Sequence, residues 1–115
     1  YHSYNLPGGG VEQGETSKEA ADREAREETG LELSLESKIG EVTEVFDERE
    51  LQNITEAFTA SFIKAHPLEA DEESIEDGQE LVWVSLADVI SLLEEANNLN
   101  PHTAMQRDMY FIKKL

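Results

Sequence analysis

The sequence predicts an α/β (α+β) domain in which helices cover a mixed sheet. Helix-like and strand-like stretches follow one another as strand, loop, helix, strands, helix, helix, an order that suits a layered domain. At 115 residues and 38% hydrophobic, the chain is the size of one domain with one core. No internal repeat and no linker divides it, so residues 1–115 are read as a single domain.

Residues 2–6 (HSYNL) read as the end of a strand, which Pro7 and three glycines stop. Gly8 to Gly14 form a loop whose backbone can approach a ligand or ion closely. Thr16 followed by Glu19 fits a capping box and starts a helix near Ser17, rich in Ala, Glu and Arg. Gly30 suits the left-handed residue that ends it.

Strand-like residues 38–46 and 54–63 flank a charged turn at 47–53; Phe58, Ala60 and Phe62 share one face of the second strand. Pro67 ends that strand, residues 69–80 are an acidic loop, and LVWVSL (81–86) suits a buried strand. Trp83 is read there as core, with base stacking the lesser alternative. Ser85 and Asp88 open a helix through Ala96, with Val89, Leu92, Leu93 and Ala96 inward. Asn100-Pro101 marks a last helix, whose Met105, Met109, Ile112 and Leu115 repeat at helical spacing.

Composition narrows the chemistry. There are no cysteines, which excludes disulfides and thiolate metal sites and fits a reducing cytoplasm. No apolar run is long enough for a transmembrane helix, and the N-terminus lacks the pattern of a signal peptide. His2, His66 and His102 form no ligand-spaced pair. With 26 acidic and 9 basic residues, a net charge of −17 repels nucleic-acid polymers and anionic membranes. A small anionic substrate then needs a divalent cation to screen the carboxylates around it.

Those carboxylates concentrate in Gly8–Leu31. On a helix, Glu24, Glu27 and Glu28 fall within an arc of about 100°. Hard oxygen donors of this kind favour Mg²⁺ or Mn²⁺. Glu15 can approach from the helix start, Gly8 or Gly9 can add a carbonyl, and Arg23 can hold a carboxylate bidentately. Ala21 and Ala25 allow close packing beside the acidic face. The plainer reading is a solvated acidic helix laced by pairs such as Glu19–Arg23. The spacing decides between them: Gly9, Glu15, Arg23, Glu24, Glu27, Glu28 and Gly30 follow G-x5-E-x7-R-E-U-x-E-E-x-G-U, where U is a bulky aliphatic residue. At this chain's own composition, such a match arises in some register with a probability on the order of 10⁻⁵.

That pattern resembles the Nudix box of hydrolases acting on a nucleoside diphosphate linked to another group. Leu6-Pro7-Gly8-Gly9 and Thr29-Gly30-Leu31 agree as flanks, while Ala25 is small for its aliphatic position. The resemblance implies a Nudix-type α/β/α sandwich with a mixed sheet. It also implies a domain lacking its N-terminal strands, since residues 1–7 alone precede the box, where roughly 30 are expected for a strand pair.

It further implies Glu24, Glu27 and Glu28 as metal-binding carboxylates with a Gly8 carbonyl, Glu15 as outer support, and Arg23 as the arginine that orients a glutamate. The implied reaction is attack of water on a pyrophosphate phosphorus of a small nucleotide-type substrate, with Mg²⁺ or Mn²⁺ lowering the pKa of the water. The general base stays open between Glu24 and a loop residue, Asp77 or Glu80. Neither the proline of ADP-ribose hydrolases nor the tyrosine of dinucleoside polyphosphate hydrolases stands in Phe46–Arg49. The alternative is a Nudix-like nucleotide-binding or regulatory domain without turnover, which four retained carboxylates disfavour. The glycine-rich loop argues against an acidic protein-interaction domain, and a homodimer stays open.

Overall fold

A computed structural model describes residues 4–46, 51–66, 80–99, 101 and 103–115. In chain order these form α1 (Ser17–Thr29), β1 (Leu31–Phe46), β2 (Leu51–Ala65), α2 (Leu86–Leu99) and α3 (Thr103–Ile112). The class is α+β, as the sequence predicts. Among the described residues the sheet is a two-stranded antiparallel ladder of β1 and β2.

Local chemistry sets both ends of α1. The Thr16 hydroxyl accepts the Glu19 N–H at 3.1 Å, and the Glu19 carboxylate accepts the Thr16 N–H at 3.1 Å. This reciprocal box satisfies donors that the first turn leaves free. At the other end Gly30 turns left-handed at φ 72° and its N–H returns to the Arg26 carbonyl, a conformation that costs glycine no Cβ clash.

The left-handed Gly30 sends the chain directly into β1. Leu31 pairs with Ala65, Leu33 with Phe62 and Leu35 with Ala60, with register shifts between Glu32 and Leu33 and again on either side of Lys38. Leu31, Ala20 and Ala25 are buried where α1 meets the hairpin. Leu33 and Leu35 continue this contact as the floor of a shallow groove of about 240 Å³, walled by Thr16, Lys18, Glu19 and Asp22. The Glu56 carboxyl is drawn below its usual range first by the nearby Ser17 hydroxyl and then by Lys38.

The second cluster joins α2 and α3. Leu93, Ala96, Met105 and Ile112 are buried together, with Tyr4, Val89, Ile90 and Met109 packed against them. Ser85 opens α2 as expected: its hydroxyl accepts the Asp88 N–H at 3.2 Å and its carbonyl the Val89 N–H at 2.9 Å.

Some expectations need correction. Residues 81–85 form no strand. A strand needs a neighbour to accept its backbone bonds, and among the described residues β1 and β2 pair with each other. Trp83 is accordingly 69% exposed rather than core, and meets the hairpin through an edge-to-face contact with Phe62 at 5.8 Å. Phe62 is itself half exposed. Residues 4–6 also form no strand.

At the C-terminus α3 stops at Ile112, leaving Leu115 exposed and outside the apolar stripe. Phe111 and Asp108 are buried instead. Strand β2 begins at Leu51, ahead of the expected start at Ile54.

Candidate active site

Arg23 gathers the acidic residues of the box. Its side chain leaves the middle of α1 and reaches back to the glycine-rich loop. Nε and Nη2 both donate to the Glu15 carboxylate, at 2.9 and 3.1 Å, while Nη2 also donates to the Gly10 carbonyl at 2.9 Å. Nη1 donates to Glu24 at 3.0 Å and to Glu27 at 3.1 Å, with Glu12 farther off at 3.8 Å. One planar, permanently charged fork thus bridges three carboxylates that α1 and its leading turn crowd together, offsetting part of their mutual repulsion.

Glu15 also shapes the loop. Its carboxylate accepts the Glu12 N–H at 3.0 Å, and its own N–H donates to the Glu12 carbonyl at 3.1 Å. The Arg23 guanidinium, followed by the Glu12 N–H, draws the Glu15 carboxyl below its usual pKa. Arg23 is raised in turn, first by Glu15, and stays charged throughout the accessible pH range.

Glu28 stands apart from this fork. Its carboxylate accepts the Gly8 N–H at 3.0 Å. Burial pushes its pKa up, the Glu24 and Glu27 charges add to the rise, and the Gly8 bond opposes it. The glycine expected to offer a carbonyl therefore engages the box through its amide.

Gly9 lies against Glu24. A Cβ added there would overlap the Glu24 carboxyl group, with Oε2 at 2.7 Å, whereas at Gly8 or Gly10 it would meet nothing within 4 Å. The Glu24 carboxylate is thereby confined between the Gly9 backbone on one side and Arg23 Nη1 on the other.

The expected residues thus divide. Glu15, Arg23, Glu24 and Glu27 come together in one hydrogen-bonded group, and Glu28 joins the same loop through Gly8. Glu80 is exposed and is not among the carboxylates Arg23 holds, while Asp77 lies outside the described residues. Glu19 is engaged as a cap.

Asp108 was missed. It is 3% exposed and accepts the Leu6 N–H at 3.0 Å, which fastens the glycine-rich loop to α3. The available signal was an acid three residues after Met105 and four before Ile112, within the apolar stripe.

The donor chemistry suits a hard cation, since every side-chain acceptor in the group is a carboxylate oxygen. The arrangement as folded does not: among the described residues no three acidic or histidine side chains are placed to hold a metal ion. The reason is visible in the bonds, with Glu24 and Glu27 directed to Nη1 and Glu28 to the Gly8 amide.

Residues 1–106 match the NUDIX domain family. A protein of Bacillus subtilis (strain 168), named "Putative 8-oxo-dGTP diphosphatase", is 36% identical over 85 residues, which cover 71% of this chain and 50% of that protein. The chain thus spans about half the length of the curated relative it matches. No solved structure gives a significant match. Among the described residues, no helix is long and apolar enough to cross a membrane.

Proposed function

The chain belongs to the Nudix family, and from that premise we propose that it hydrolyses the pyrophosphate linkage of a nucleoside diphosphate derivative with Mg²⁺ or Mn²⁺. The observation that carries this reading is the Arg23 group, which places Glu15, Glu24 and Glu27 of the box around one guanidinium beside the glycine-rich loop.

In the reaction, a water oxygen bonds to one phosphorus as the bridging P–O bond breaks, and the water's proton passes to a carboxylate. Glu24 is one candidate acceptor. Asp77 or Glu80, ahead of Trp83 in sequence, is the other. A divalent cation would offset the negative charge that a polyphosphate and these carboxylates bring together. Glu15 holds the Arg23 fork in place, and Gly9 leaves the Glu24 carboxylate room beside the loop backbone.

The name borne by the Bacillus relative makes an oxidised purine nucleoside triphosphate the first substrate to try. The test uses the full-length protein with that compound and a panel of nucleoside diphosphate derivatives. Mg²⁺-dependent release of phosphate, pyrophosphate or nucleoside monophosphate, stopped by EDTA, is the expected outcome. Binding without turnover across the panel would replace hydrolysis by a nucleotide-binding role. Glu27→Gln and Glu28→Gln should each lower turnover by several orders of magnitude while the far-UV circular dichroism is kept. Near-normal activity in both variants would remove these residues from the metal assignment.

A further inference from the structure

We propose that Asp108 is a positioning residue for turnover: through the Leu6 amide it sets where the Gly8 amide meets the Glu28 carboxylate. This deepens the reading above and rests on it, since Glu28 is assigned to turnover there. The segment Leu6-Pro7-Gly8 is strung between two carboxylates on different helices. The Leu6 N–H donates to Asp108 Oδ2 of α3 at 3.0 Å, and the Gly8 N–H donates to Glu28 Oε2 of α1 at 3.0 Å. Two residues separate those nitrogens, a reach of at most about 7 Å. Pro7 between them has a fixed φ and no N–H of its own. Moving the first amide therefore moves the second.

Hydrogen bonds place this segment more than packing does. Leu6 is 42% exposed, and a Cβ added at Gly8 would meet nothing within 4 Å. Tyr4 packs against the α2–α3 cluster, but measured from Tyr4 the Gly8 nitrogen has about twice the reach it has from Leu6. Asp108 is itself well fixed. It is buried in α3 with Met105, Phe111 and Ile112. Arg107 Nε meets its Oδ1 at 3.4 Å, while Arg107 Nη1 lies 3.6 Å from Glu44 of β1. Packing alone does not call for a carboxylate at such a place, where an apolar side chain of similar volume is often neutral or stabilising. What the carboxylate adds is an acceptor for Leu6. Asp108 acts on the site through the backbone and touches no reacting atom.

Amide exchange and steady-state kinetics of the full-length protein test this together, with an oxidised purine nucleoside triphosphate and Mg²⁺ in the assay. Asp108→Leu removes the acceptor, and Asp108→Asn keeps an oxygen for it. In Asp108→Leu the Leu6 and Gly8 amides should exchange faster by about tenfold or more, while the α1 amides and the melting temperature stay near wild type. Its kcat should fall by about tenfold with KM little changed, and Asp108→Asn should restore both the exchange and the rate. Unchanged Gly8 exchange in Asp108→Leu would overturn the proposal, as would faster Gly8 exchange with an unchanged kcat. Failure of Asp108→Asn to restore the rate would also overturn it, since the acceptor would then not be what matters. If Asp108→Leu does not fold, the wild type decides: each opening at Leu6 should free Gly8, so a Gly8 amide more protected than Leu6 would overturn the coupling. Absence of turnover by wild type would instead overturn the hydrolysis reading, and the exchange data would still decide whether Asp108 sets the Gly8 amide.

Discussion

Asp108 keeps a carboxyl in the core at a cost that its neighbours only partly offset. Burial raises its pKa, against the opposing pull of the Leu6 N–H and of Arg107. The folded state therefore holds the Asp108 proton more tightly than the unfolded chain does. The stability linked to that proton is fully present below the unfolded value of 3.8 and is lost as pH rises through the higher folded value. Urea denaturation of wild type and Asp108→Asn across that range should show wild type losing stability relative to the variant as pH increases. A difference that stays flat would remove Asp108 from the pH response. Gly9 offers a sharper test at the same scale. Gly9→Ala should displace the Glu24 carboxylate and lower turnover by about tenfold or more, as small misplacements of reacting groups do. Gly10→Ala, which meets no atom within 4 Å, should leave the rate near wild type in the same assay.

Helix α1 depends on local signals, and its stability should respond to them one at a time. Thr16→Ala removes the acceptor for the Glu19 N–H and should cost about 1 kcal/mol. Gly30→Ala forces a Cβ into a left-handed turn at φ 72° and should cost a similar amount, roughly 1 kcal/mol. Both are read from denaturant midpoints, with faster amide exchange in α1. These same signals made α1 legible, because Thr16, Glu19 and Gly30 act within a few residues of the bonds they control. Ser85 was legible for the same reason. The run at 81–86 was not. Its apolar character is compatible with a strand, yet strand formation is decided by a partner distant in sequence. Leu115 failed on a related ground: helical spacing places it in the stripe, but α3 ends at Ile112 before reaching it.

At the scale of the whole molecule, charge is the largest departure from an ordinary domain. The formal charge of −17 should oppose compaction, so stability should respond to screening. Raising NaCl from about 0.01 to 0.15 M shortens the Debye length from roughly 30 to 8 Å, and the melting temperature should rise. A melting temperature indifferent to salt would mean that local pairs such as those of Arg23 already neutralise the repulsion that matters. The membership of the site was legible from the spacing of Gly9, Glu15, Arg23, Glu24, Glu27 and Glu28. Its internal bonding was not, because helical angles say which carboxylates share an arc but not which cation they turn toward. Nor did the spacing reach Asp108, whose bond to Leu6 spans 102 positions of the chain. That span has a consequence in time. A loop closed over 102 positions forms late, after the contacts within α1 and the hairpin. During synthesis the glycine-rich segment emerges before α3 but gains its anchor only when α3 has left the ribosome. The glycine-rich segment should therefore gain protection later than α1 and the hairpin when refolding is followed by amide exchange.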